Sequence, residues 1–348
     1  MGVMIMQNRQ ILFTRPNQAE LVSREIPGQP GPGEVLVRTC YTAVSAGTER
    51  ANLIGERHVN GGRIQDEVVF PRALGYSGTG IVEKVGDGVT NIKPGQRVVI
   101  YFGQHKQFNI VPAANAFPIE DDRVGLDEAA LAVIACFPLL GIRKTRLEIG
   151  EAALVVGLGI LGQLSVSFCK TGGAVPVIAA DPNPARRALA LEMGADVALD
   201  PTADDYAETV KQITGGKGVP VAIEVTGVYA ALVQTLGCMA RFGRVSLLGC
   251  SRNPDQALDF YHLVHFPGVS LIGANNFARP QFESSPGNWT AKDDCDAILR
   301  LMGSGRLSAR RLIAEIHSPE AAPDVYHRLA YDDANFPIGV LFDWSVLT

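Results

Sequence analysis

Residues 152–163 read Ala152-Ala153-Leu154-Val155-Val156-Gly157-Leu158-Gly159-Ile160-Leu161-Gly162-Gln163, an apolar run that enters three spaced glycines and continues to Lys170 in a helix-compatible stretch. Strand, G-x-G-x-x-G and helix in that order form the phosphate-binding turn of a dinucleotide-binding βαβ unit. The first glycine permits the tight turn, the second lets the backbone approach a pyrophosphate, and the third lets helix and strand pack closely. The phosphates then face the helix N-terminus, where unpaired N–H groups and the helix dipole favour negative charge. Gly157, Leu158, Gly159, Ile160, Leu161 and Gly162 are therefore expected to bind a dinucleotide. A second strand ends at Ala180-Asp181, about 20 residues further on, where the ribose-reading acid belongs. A carboxylate there accepts hydrogen bonds from both ribose hydroxyls and repels a 2′-phosphate, so Asp181 favours NAD over NADP. Arg186-Arg187 argue the other way, because Arg186 can pair with a 2′-phosphate.

Working outward, strand and helix units alternate downstream of the glycines, with candidate strands at Val175–Ala180, Val219–Val225, Arg244–Gly249 and Val269–Gly273. That alternation indicates βαβ crossovers and a parallel sheet. A helix is expected near Lys292–Met302. Upstream of about residue 126 the pattern is different. Short β-branched runs such as Glu34–Arg38, Gly80–Val85 and Arg97–Ile100 are separated by turns such as Gly31-Pro32-Gly33 and Lys93-Pro94-Gly95-Gln96, which reads as a small β-barrel. The closing strand-like run Gly339–Trp344 is expected to return to that first domain. With 348 residues the chain exceeds one core, so two domains are expected: 1–125 completed by 295–348, and 126–294.

Composition narrows the function classes. The chain is 47% hydrophobic and 19% charged, with net charge −5 and no basic stripe, which argues against a nucleic-acid partner and for a small-molecule substrate. The longest apolar run, Ala129–Ile142, contains Pro138 and is too short to cross a bilayer. No membrane partner is expected, and the address read from the absence of a leader pattern is cytoplasmic. Six scattered cysteines without a C-x-x-C pair suit free thiols in a reducing compartment.

Three further motifs carry a resemblance. The stretches Gly75-Tyr76-Ser77-Gly78-Thr79-Gly80-Ile81-Val82-Glu83-Lys84-Val85-Gly86, Lys93-Pro94-Gly95-Gln96-Arg97-Val98 and Ala46-Gly47-Thr48-Glu49 resemble the signatures of the medium-chain dehydrogenase/reductases, a likeness that covers essentially the whole chain. It implies an α/β protein with a GroES-like β-barrel catalytic domain and a Rossmann doubly wound parallel-sheet cofactor domain, assembled as a homodimer or homotetramer. The zinc-dependent branch of that family holds its catalytic metal through three protein ligands with one position open. In this chain the corresponding positions are Ala46, Tyr76 and, counting back without gaps from Gly157, Val133. The structural-zinc lobe has no cysteines either, since Ile100 leads almost directly into His105-Lys106-Gln107-Phe108. No zinc is expected.

Without a metal, another group must serve the oxyanion that forms at a carbonyl or take the proton of an alcohol. Tyr76 is the first candidate, because it occupies a ligand position and brings a hydroxyl. Thr48 matches the family's relay hydroxyl. Glu49 replaces the family's Asp and is expected to pair with Arg50 or Arg72. His58 is a candidate for passing protons to solvent. Substrate loops are expected at Asn52–Phe70 and Asn275–Trp289, the second offering Arg279 to a polar or acidic substrate. The leading reading is a zinc-independent, NAD(H)-dependent enzyme that interconverts a secondary alcohol and a ketone. A quinone or enoyl reductase and a cofactor-binding protein without catalysis are the alternatives.

Overall fold

A computed structural model describes residues 5–59, 67–251 and 257–347. The strands are β1 (Ile5–Arg15), β2 (Gln18–Pro27), β3 (Glu34–Ala43), β4 (Ser77–Val85), β5 (Arg97–Tyr101), β6 (Phe108–Pro112), β7 (Ala116–Pro118), β8 (Ala153–Val156), β9 (Val177–Ala180), β10 (Val197–Leu199), β11 (Val219–Glu224), β12 (Met239–Leu247), β13 (Ser270–Gly273), β14 (Ile313–His317) and β15 (Gly339–Asp343). The α-helices are α1 (Ala46–Leu53), α2 (Leu126–Ala129), α3 (Ala132–Thr145), α4 (Ile160–Thr171), α5 (Pro184–Glu192), α6 (Tyr206–Ile213), α7 (Tyr229–Gly237), α8 (Ala291–Gly303) and α9 (Ala322–Tyr331). The chain divides into two compact units, Met1–Ile134 with Ile298–Thr348, and Ala135–Ala297. It leaves the first within α3 and re-enters it within α8.

In the first unit β1 and β2 form an antiparallel hairpin, and the main sheet runs β14-β15-β3-β4-β5-β7 with β6 also on β3. The returning strand is β15, whose Leu341, Phe342 and Asp343 pair antiparallel with Ala43, Thr42 and Tyr41. The hairpin strand β2 is mostly exposed, with Ala19 its one buried residue, whereas the central β3 is buried along most of its length. One core gathers Phe13, Tyr326, Phe342 and Trp344 around Leu53 and Val340; a second gathers Val35, Val37, Val82, Val98 and Ile100.

The second unit is a six-stranded parallel sheet in the order β10-β9-β8-β11-β12-β13. Helices cover such a sheet on both faces, which is why Ala153–Val156 and Val177–Ala180 are unbroken apolar runs with every residue buried. Its core includes Leu154, Ile178, Val210, Ala222 and Val245. The apolar stretch after residue 125 forms two helices, α2 and then α3, with Pro138 inside α3. No helix among the described residues is long and apolar enough to cross a membrane. All six cysteines are free thiols, and five are buried.

Candidate active site

The glycine turn and Asp181 sit at the carboxyl ends of neighbouring parallel strands, β8 and β9. Gly157 has φ +90°, and a Cβ there would lie 2.7 Å from the Thr226 Cγ2. A Cβ on Gly162 would lie 1.8 Å from the Gly157 carbonyl oxygen, so only glycine lets α4 seat against the turn. At Gly159 a Cβ would meet nothing within 4 Å, which leaves open space in front of the helix. Gly159 is also the N-cap of α4, and no side chain caps it. The first N–H groups of a twelve-residue helix thus face open space without a built-in acceptor, an arrangement that fits a pyrophosphate.

Asp181 is braced by the backbone. One carboxylate oxygen accepts from the Leu158 N–H at 2.8 Å and the other from the Asn183 N–H at 2.8 Å. Lone pairs remain on both oxygens for further donors. The next helix is fixed locally: Asn183 caps α5 by accepting from the Ala185 and Arg186 N–H groups, and Pro184 opens its first turn. The Arg186 guanidinium lies 3.9 Å from Asp181. Arg187 is tied to the Asp181 and Pro182 carbonyls and to Asp200.

Two residues near this turn escaped the sequence reading. Gln163, wholly buried, donates from its amide to the Leu158 and Arg186 carbonyls at 3.2 and 2.9 Å. Glu224 ends β11 beside Val156 and accepts from Thr226 O–H, Thr226 N–H and Gly227 N–H. Burial pushes its carboxyl above the usual range against the pull of those donors. The available signal was position, because ligands of parallel sheets collect at the carboxyl ends of strands.

In the first unit the structure brings Tyr76, Ser45 and Glu49 together. Gly75 precedes Tyr76 with φ +105°, where a Cβ would lie 2.4 Å from the His105 nitrogen. The Tyr76 ring stacks on Phe102 at 5.6 Å between centroids, and its hydroxyl donates to Ser45 Oγ at 2.7 Å. Ser45 is the N-cap of α1, and Glu49, one turn on, reaches back to accept from the Ser45 N–H at 3.0 Å.

Glu49 is 0% exposed, and its partners correct the expectation of an arginine. Tyr326 O–H donates to it at 2.6 Å and His105 Nε2 lies 3.2 Å away. Arg50 pairs instead with Asp333 at 3.2 Å, and Arg72 binds the Val69 and Asn52 carbonyls. A buried charge needs a full set of donors, and an arginine at either position lies along the chain but outside that closed pocket. The network extends further. Trp344 Nε1–H donates to Thr42 Oγ1 at 2.8 Å, and Thr42 Oγ1 lies 2.6 Å from His105 Nδ1. An indole only donates, so the threonine proton is free to meet Nδ1, which leaves Nε2–H to face Glu49. Burial, and then the Glu49 charge, hold the Tyr326 phenol well above its ordinary range and keep it a donor.

Thr48 lies on the first turn of α1, half-buried, and its hydroxyl bonds no described residue; its carbonyl accepts from Asn52. His58 follows α1 in a turn, half-buried, and bonds no described residue. The loop containing it, expected to line a substrate site, is described only outside residues 60–66. Ser77 is committed to the Ala130 carbonyl at 2.5 Å. Ala46 opens α1, and Val133 is wholly buried in α3. Arg279 does not await a substrate: it is 5% exposed and bound to Asp294, Asn276 and the Cys136 carbonyl. Asp294 also takes Arg143 of α3, so this one carboxylate ties both the loop and α3 to α8.

One unit is a parallel sheet with an open phosphate-type turn and the other carries a buried polar cluster, features that fit a nicotinamide-dependent oxidoreductase. The family pattern described as an alcohol dehydrogenase GroES-like domain matches residues 31–121, and the pattern described as a zinc-binding dehydrogenase matches residues 161–285. L-threonine 3-dehydrogenase from Pyrococcus horikoshii is 30% identical over 337 residues, which span 87% of this chain and 89% of that protein. D-guloside 3-dehydrogenase from Escherichia coli is 27% identical over 275 residues, 77% of each chain. A solved structure described as a short chain alcohol dehydrogenase from E. coli CFT073, complexed with NADH, superposes with a TM-score of 0.81 at 20% identity over 98% of this chain and 100% of the other. The chain belongs to the medium-chain, zinc-type alcohol dehydrogenase family and is an NAD(P)-dependent dehydrogenase/reductase.

Proposed function

We propose that the protein is an NAD(H)-dependent oxidoreductase that interconverts a secondary alcohol and a ketone without a catalytic zinc, on a small polar or secondary-metabolite substrate. The observation that carries this reading is the trio Ala46, Tyr76 and Val133 at the family's three ligand positions, none of which can hold zinc as a normal ligand. The pattern named for zinc binding matches 161–285, which contains none of these positions. Relatives named as dehydrogenases of threonine and of a guloside support an alcohol–ketone reaction.

The dinucleotide, when bound, gives or takes hydride at its nicotinamide ring. Gly157–Gly162 would hold its pyrophosphate, and Asp181 its adenosine ribose, with NAD favoured because the carboxylate repels a 2′-phosphate. Arg186 stands beside that position. Tyr76 takes the part of the missing metal: its hydroxyl donates to the substrate oxygen as negative charge develops there. The Thr48 hydroxyl and His58 would carry the proton onward to solvent, while Glu49 holds the first turn of α1, with Ser45 at its N-cap and Thr48 within it.

Metal analysis of the purified protein, dissociation constants for NADH and NADPH, and turnover on panels of secondary alcohols, ketones and enones test this together. The expected result is substoichiometric zinc, tighter NADH, and reversible alcohol oxidation that survives chelators and is lost in Y76F. One zinc per chain whose removal abolishes turnover, or reduction of enones alone, overturns it.

A further inference from the structure

Ser45 is a buried hydroxyl at this site that no part of the proposed chemistry has yet used. It is 7% exposed. Its backbone N–H is engaged by Glu49, and its Oγ accepts the Tyr76 proton at 2.7 Å. With Tyr76 as the donor, the proton of Ser45 itself has no acceptor among the described residues. A serine hydroxyl carries one proton and two lone pairs and turns freely about its C–O bond, so it can reverse this hydrogen bond without moving the backbone.

We propose that Ser45 is the positioning residue that stabilises, by donating a hydrogen bond, the charge left on Tyr76 when that phenol gives up its proton. The proposal rests on the reading of Tyr76 as proton donor. In the reductive direction the carbonyl carbon gains hydride, and the C=O π pair moves to oxygen. That oxygen takes the Tyr76 proton. The O–H electron pair stays on Tyr76 as a phenolate, to which the Ser45 O–H turns and donates. A solvent proton then restores Tyr76, so one ketone, one NADH and one proton give one alcohol and one NAD+. Hydrogen bonds to an ionised oxygen are roughly twice as strong as neutral ones, so the contact strengthens as charge appears.

Several polar side chains of this unit are already engaged elsewhere. Glu49 is filled by the Ser45 N–H, His105 and Tyr326. Ser77 is held by Ala130, and Thr42 by Trp344 and His105. Phe102 stacks on the Tyr76 ring and offers no donor.

Ser45→Ala tests the assignment cleanly, because the bond to Glu49 uses the backbone N–H and survives. Loss of a charge-assisted donor should lower kcat about 10- to 100-fold. KM for the substrate and Kd for NADH should stay within about twofold, since the one side-chain contact removed is the bond from Tyr76 and not a bond to substrate or dinucleotide. S45T, which keeps the hydroxyl, should recover most of the loss, and S45A should add little in a Y76F background. A second readout needs no turnover: the part of the tyrosinate absorbance titration that Y76F lacks should move to higher pH in S45A. Should S45A unfold, S45G removes the same hydroxyl and still suits an N-cap. Wild-type kcat in S45A or S45G, with Y76F inactive, overturns the role of Ser45 and leaves that of Tyr76. Full turnover in Y76F overturns the reading of Tyr76 itself.

Discussion

Tyr326 and Glu49 lie far apart in the chain yet share a 2.6 Å hydrogen bond with neither side chain exposed. Removing the phenolic oxygen keeps the ring packing and takes away one of the donors to a buried carboxyl. Y326F should therefore lower the free energy of unfolding by about 1–3 kcal/mol in chemical denaturation, while the isolated packing loss is small. This contact shows what a sequence hides. Glu49 invites pairing with Arg50 and Arg72 because they are near in sequence, but the partners it takes, His105 and Tyr326, have no local signature beside it. The glycine turn and Asp181 were legible for the opposite reason: their spacing is itself the geometry, and the bond from the Leu158 N–H to Asp181 joins residues of a single βαβ unit. Tyr76 stands out in the sequence as a candidate, but its hydrogen bond to Ser45 does not, because a serine before a helix reads as a cap and nothing more.

The elements of the second unit were easier to see than those of the first, since parallel strands buried on both faces write themselves as apolar runs. Two strands escaped that reading: β10, three half-buried residues long, and the start of β12. The latter strand begins at Met239, ahead of the visible run from Arg244, and its register with β11 shifts near Val219 and Val221. Phe242 there has φ +61° and is exposed, so no periodicity marks the strand's start. Asp196 illustrates how an element is pinned by charge: it accepts from Lys170 of α4 at 2.6 Å and from the Val177 N–H of β9 at 2.8 Å. Burial pushes its carboxyl up, but the Lys170 bond, the Val177 N–H and the Lys170 charge together hold it below the ordinary range. A depressed folded pKa stabilises the fold above the unfolded value of about 3.9, and that increment is lost as pH falls through the folded value. D196N should thus melt below wild type at neutral pH, and the gap should close in acid below pH of about 4. A gap that persists unchanged to the acid limit would mean that the hydrogen bonds and not the charge hold β9.

Across the whole molecule, two units with separate cores make stability a regional property. Trp344 is 1% exposed, closes the core around Phe13 and Tyr326, and supplies the N–H that starts the Thr42–His105–Glu49 chain. Truncating it combines a large cavity with a lost donor, so W344A should destabilise the first unit by about 3–5 kcal/mol or more. Hydrogen exchange should quicken there and leave residues 135–297 nearly as protected as in wild type. The two-domain division was legible from the change of pattern near residue 126, but the point at which the chain crosses was not, because α3 and α8 each belong to both sides. The interrupted order of the first unit also sets a schedule for biosynthesis. Residues 135–297 are contiguous and can close their core as soon as they leave the ribosome, whereas the Tyr41–Ala43 end of β3 waits for residues 341–343 before its edge is paired. At translation rates of about 5–20 residues per second that wait is roughly 15–60 seconds. Ser45 lies two residues beyond that strand end, so the pair it is proposed to form with Tyr76 is among the last features of the chain to be fixed.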